Sequence, residues 1–205
     1  NFSGIIFAIK ERDKNLPIKI EGIKFIDSVH DIHYLPPPDS ALEMEEMLPE
    51  EIKCLLYYIR CTGYYNIVFA DLSSELNSRN IAVMEESDEI ILIHTPNYIS
   101  KSKIIGFCKE IERYQKRKGL NLFKKITLVV NKYDEHISQE IKNEIDEVCS
   151  ITGMIQHIKI PMNNQVMYND GTYLRSKTSE LSSFNKELLK LTKKYSLRGN
   201  GDTFQ

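Results

Sequence analysis

Asp71 stands at the end of the apolar run in YYNIVFADLSSEL, directly before a turn of small polar residues. A run such as Ile67-Val68-Phe69 reads as a fully buried strand. A carboxylate at its end is costly unless a partner, a metal ion or water faces it. Two kinds of chemistry suit the position: capping the helix that follows, or holding a hard cation. Three more apolar runs end in polar groups. EIILIH is followed by Thr95-Pro96-Asn97. KITLVVN ends at Asn131 and leads into Lys132 and Asp134. MIQHIKI is closed by Pro161, with Met162, Asn163 and Asn164 behind it. Together with Ser73 and Ser74 these residues offer one acid at a strand end, hydroxyls, amides and a lysine. No GxSxG and no cysteine with a plausible histidine accompany them. His30, His33 and His94 lack metal-ligand spacing and read as structural or surface residues.

The elements that must position these groups alternate along the chain. Short helices are expected over 2–12 and from Pro49, at a first-turn position, to Arg60. The segment from Asn15 to Asp31 fits either a helical turn or a loop. Ile32 to Leu35 reads as a short strand stopped by three prolines, which cannot continue a ladder. Strands are expected over 66–70, 89–94, 125–131 and 154–160, and helices over 76–86, from the TPN turn to Gly119, over 137–150 and over 179–195. Continuously apolar strands alternating with helices predict a doubly wound, three-layer α/β fold with a mainly parallel sheet and helices on both faces. In such sheets ligands bind outside the carboxyl ends of the strands, which is where the polar groups above fall.

The 205 residues, 41% apolar and 27% charged, suffice for one sizeable domain, expected over 1–197, with 198–205 a frayed tail. A formal net charge of -2 predicts no strong attraction to nucleic acid or anionic lipid overall. Cys54, Cys61, Cys108 and Cys149 form no CxxC pair and read as reduced thiols of a cytoplasmic protein. No signal peptide or apolar run of transmembrane length is present, and the start at Asn1 reads as a cut from a longer polypeptide.

The ordered set of strand ends resembles the deviant-Walker P-loop ATPases of the MinD/ParA group, most closely the CpaE-like branch linked to pilus assembly. YYNIVFADLSSEL is similar to the Walker B strand and switch region, and SDEIILIHTPNYISKSKI to the strand and helix after it. ITLVVNKYD resembles the strand with the adenine-side Asn, and HIKIPMNNQVMYNDG the last strand end. DIHYLPPPDS before the EMLPEE helix stands where the family places the region between switch I and Walker B. The resemblance covers nearly the whole chain.

It implies an ATP-binding switch module, with ATP or ADP and magnesium as cofactors. Asp71 would hold Mg²⁺ through water and is the candidate catalytic residue, with Ser73 in the switch turn. Asn131 would hydrogen-bond the adenine, Pro161 and Met162 would line it, and Lys132 would be a further nucleotide-binding residue. Implied partners are a second copy, in a nucleotide-dependent dimer, and a further protein, with peripheral membrane contact through the basic C-terminal helix as in some relatives. No specific nucleic-acid binding is implied. The residues on their own leave the alternatives open: Asp71 as a helix cap, Asn131 capping its own turn, Pro161 as a strand terminator, and Ser73 and Ser74 in a plain turn. None of the nine glycines begins a glycine-rich GK-Ser/Thr loop, so ATPase activity would require that loop upstream of Asn1. Glu75 stands where the family's switch turn carries glycine. Both departures favour a second expectation, a non-hydrolysing scaffold or regulatory domain with the same fold.

Overall fold

Helices form where side-chain caps and amphipathic spacing coincide. In a computed structural model that describes residues 1–28, 31–61, 64–134, 136, 138–152, 157–162 and 184–190, the chain divides into two compact units, Asn1–Ser87 and Asp88–Gln205.

The first unit is mainly helical. Helix α1 (Phe2–Lys10) starts at Asn1, whose Oδ1 accepts the Gly4 N–H at 3.1 Å. Helix α2 (Leu16–Ile23) carries proline in its first turn, where a missing N–H costs nothing. Strands β1 (Phe25–Asp27) and β2 (Ile32–Tyr34) form an antiparallel ribbon in which Phe25 stacks on Tyr34 at 5.6 Å. Thus the ambiguous stretch 15–31 is a helix followed by a strand. A one-turn helix, α3 (Ala41–Glu45), follows; then come α4 (Pro49–Cys61) and α5 (Ser78–Glu86). Phe2, Ile5, Ile6 and Ile9 of α1 share a core with Leu16 and Ile20 of α2, Ile52 and Leu55 of α4, and Ala82 and Val83 of α5.

The expected strand over 66–70 is not one. Residues 67–73 have no regular secondary structure, and none joins a ladder. Ile67, Val68 and Phe69 are 52%, 48% and 78% exposed. The apolar pattern was right for a buried strand, but a strand exists only where a neighbour supplies the hydrogen bonds. Within this unit the ribbon β1–β2 is complete without it. The start of the run is tethered through Tyr65, whose hydroxyl lies 3.2 Å from Lys24 Nζ and 3.2 Å from His33 Nδ1.

The second unit holds the expected parallel sheet. Strands β3 (Ile90–His94), β4 (Ile126–Tyr133) and β5 (His157–Pro161) lie in that order, all parallel. Helix α6 (Tyr98–Lys118) connects the first pair and α7 (Gln139–Thr152) the second. Right-handed crossovers taken in sequential order put both helices on one face. There Ile104 and Cys108 of α6 and Val148 of α7 pack with Ile126 and Leu128. Gly119 ends α6 at φ 66, a left-handed cap that favours glycine. Of the last expected helix, residues 184–190 are helical and the rest lies outside the described residues, as do 154–156 of the last expected strand. Among the described residues no helix is long and apolar enough to cross a membrane.

Candidate functional site

Parallel strands leave all their carboxyl ends on one edge, so His94, Tyr133 and Pro161 end their strands on the same side of the sheet. The register pairs His94 with Val130 and Tyr133 with Pro161, so β4 extends beyond the end of β3. Asn131 and Lys132 lie in that projecting part. The pairing slips between Val130 and Tyr133, where the chain makes a bulge. Lys132 there adopts φ 56, a left-handed conformation uncommon for a residue with a Cβ. Bulges bend a strand and re-aim its side chains, and they are over-represented beside binding sites. Asn131 Oδ1 accepts the Lys132 N–H at 3.0 Å, fixing the amide against the bulge.

Pro161 and Met162 are joined to the same feature. The Met162 N–H donates to the Tyr133 carbonyl at 2.8 Å, which keeps the chain alongside β4 after the ladder ends. Met162 is 48% exposed, a soft apolar surface beside the polar bulge. Lys159 Nζ lies over the Tyr133 ring at 4.7 Å and adds positive charge. Across the end of β3, Asn97 caps α6 by accepting the Ser100 N–H at 2.8 Å. Asn131, Lys132, Pro161, Met162 and the Thr95–Asn97 turn therefore share one edge of one sheet. Asn163 and Asn164 lie outside the described residues.

Asp71 and Ser73 belong to the first unit. Asp71 is exposed in irregular chain, not at the end of a paired strand. The turn after it is held by a residue the sequence reading missed. Asn80, buried in the first turn of α5, donates through Nδ2 to the Ser73 hydroxyl (3.0 Å), the Ser73 carbonyl (3.2 Å) and the Glu75 carbonyl (2.7 Å). Its own N–H goes to Asn77 Oδ1 at 2.9 Å. Two asparagines three residues apart at a helix start are the signal that could have found it. Nothing in the sequence flags the Lys132 bulge, because no glycine marks it.

Three of the four thiols are held protonated by burial, while Cys61 is exposed. Burial pushes Cys108 up to about 11, and burial raises Cys54 and Cys149 as well. Among the described residues no group of three or more histidine, cysteine, aspartate or glutamate side chains is placed to hold a metal ion.

No family model and no curated protein matches the sequence. The fold is similar to that of a solved structure, a ParA family ATPase from Chlorobium tepidum TLS, at a TM-score of 0.62 and 18% identity over 95% of this chain and 69% of that one. A likeness at this identity is one of architecture. This chain has an α/β fold of the ParA type, its parallel sheet flanked by helices.

Proposed function

We propose that the chain is an adenine-nucleotide switch module of the MinD/ParA type, nearest the CpaE-like branch, acting in the localisation or assembly of a cellular structure. The observation that carries this is the strained bulge at Asn131-Lys132, beside Pro161 and Met162 on the carboxyl edge of a ParA-like sheet. An amide with both a donor and an acceptor reads the edge of adenine, and Met162 and Pro161 give the ring an apolar wall. The resemblance gives Asp71, in the first unit, the part of the one carboxylate that Mg²⁺ takes beside phosphate oxygens and water. ATP would favour a dimer through contacts made only in the paired state, so the nucleotide acts by differential affinity.

A scaffold that never hydrolyses ATP is the second reading. It is favoured by the lack of a glycine-rich GK-Ser/Thr loop in the 205 residues and by Glu75 in the switch turn. Calorimetry separates the two. The 205-residue chain should bind ATP weakly, with a Kd of about 1 mM or more, since base contacts replace the aligned amides and lysine that hold phosphates. A longer protein that supplies the loop ahead of Asn1 should bind Mg-ATP tightly. In it Asp71→Ala should weaken the dependence on Mg²⁺. Micromolar binding by the 205 residues would refute the dependence on a loop ahead of Asn1, and unchanged Mg²⁺ dependence in the variant would refute the role of Asp71. No binding by a longer protein with an intact loop would favour the scaffold.

A further inference from the structure

The end of β3 holds a polar chain that nucleotide binding does not use. His94, the last residue of β3, is fully buried. Its Nδ1 lies 2.9 Å from Ser100 Oγ in the first turn of α6, and its Nε2 lies 3.7 Å from Glu144 Oε1 on α7. The Thr95 N–H donates to the same Ser100 Oγ at 3.2 Å. Two neighbours set the bond directions. The hydroxyl accepts from the Thr95 amide and keeps its own hydrogen and a second lone pair for the ring; the Glu144 carboxylate facing Nε2 favours a proton on that nitrogen, which leaves Nδ1 to accept the Ser100 hydrogen. Nδ1 is then the acceptor, and the proton of the neutral ring sits on Nε2, facing the carboxylate.

That last contact is not made. A separation of 3.7 Å is beyond a hydrogen bond, and both His94 Nε2 and Glu144 Oε1 are buried without a hydrogen-bond partner. An unmade bond between buried polar groups is rare in folded proteins and calls for a physical account. Protonation supplies one. Nδ1 becomes a donor, the Ser100 hydroxyl must turn its hydrogen away, and the ring gains a full charge towards Glu144.

The surroundings leave the pair as the main electrostatic partners. Of the elements packed here, α7 brings Glu144 and Glu147. From α6 comes Lys101, whose Nζ is 2.5 Å from Glu147 Oε2 and which also feels Glu144. β4 sets the uncharged Val130 opposite His94. Burial pushes the His94 imidazole below its ordinary value, so the ring is neutral at neutral pH. Because the folded state lowers this value, the stability tied to the neutral ring is present above the unfolded value and is lost as pH falls through the folded one.

We propose that His94, Ser100 and Glu144 form a proton-operated latch at the start of α6. With His94 neutral, the ring and Ser100 hold the Thr95–Asn97 turn against the end of β3. With His94 protonated, the ring closes onto Glu144 of α7 and stops accepting the Ser100 hydroxyl. The latch does not depend on nucleotide binding.

Long-range proton–nitrogen NMR of the histidine rings, run on the whole 205-residue chain across a pH series, tests this. The expected result is the Nε2–H tautomer of His94 at neutral pH, a midpoint below that of an unperturbed imidazole, and a Thr95 amide resonance that shifts with the same midpoint. Glu144→Gln should lower the midpoint further. Ser100→Ala should leave the His94 titration in place and abolish the shift at Thr95. An Nδ1–H tautomer, a ring that stays neutral until the chain unfolds, or a Thr95 resonance indifferent to His94 overturns the latch. Should a variant fail to fold, the wild-type tautomer and the Thr95 midpoint decide.

Discussion

Residues 66–70 and 126–130, NIVFA and ITLVV, are two apolar runs of nearly the same chemistry in opposite situations. The second is buried at every position and has strands on both sides. The first is irregular, joins no ladder and is exposed through Ile67, Val68 and Phe69. Nothing in their composition explains the difference. What separates them is their neighbours. Ile126 to Val130 are set between β3 and β5 by two crossover helices that share one core with them. Residues 66–70 follow α4 in a unit whose helices already bury one another and whose ribbon is complete without them. Apolarity makes a strand worth burying, and only a partner with its own free edge makes it a strand.

The comparison can be broken at its strong end first. Leu128 is fully buried at the centre of β4, and truncation to alanine leaves a cavity that the sheet cannot close. Leu128→Ala should cost about 2–5 kcal/mol in chemical denaturation. A loss under about 1 kcal/mol would mean that β4 is not the packed centre of its unit.

The turn that follows the exposed run is held by a single side chain. Asn80→Ala removes the donors to Ser73 and Glu75 and should cost about 1–3 kcal/mol. Hydrogen exchange should show the loss as faster exchange near residues 73–77, with β4 unchanged. Equal loosening of β4 would mean that Asn80 acts beyond the Ser73–Glu75 turn.

The smallest effect is expected in the exposed run itself. Phe69→Ser should change stability by no more than about 0.5 kcal/mol, since the ring is already in water. A loss of about 2 kcal/mol or more would show that 66–70 is buried in solution and would erase the contrast with 126–130.

Much of this was legible in the residues. Periodicity and caps marked α4 at Pro49, α6 up to Gly119 and the three parallel strands, because an apolar face, a cap and a breaker act within a few residues of each other. The edge that gathers Thr95, Asn131, Lys132, Pro161 and Met162 was legible too. Crossover handedness leaves every carboxyl end of such a sheet on one side. The sequence could not show that Lys132 sits left-handed in a bulge, since that conformation is imposed by the slip in pairing between β4 and β5. Nor could it show that Asn80 holds the Ser73–Glu75 turn.

By itself, then, the sequence determined the longer helices, though not α2 or α3, which segments are apolar enough to be strands, and which polar residues follow them. These depend on local propensity and on the order of residues along the chain. The tertiary structure alone decided that 126–130 is a strand and 66–70 is not. It alone brought His94 between Ser100 and Glu144, which lie six and fifty residues further along the chain. Pairing and burial are relations between segments distant along the chain, and their free energy exists only once both partners are in place.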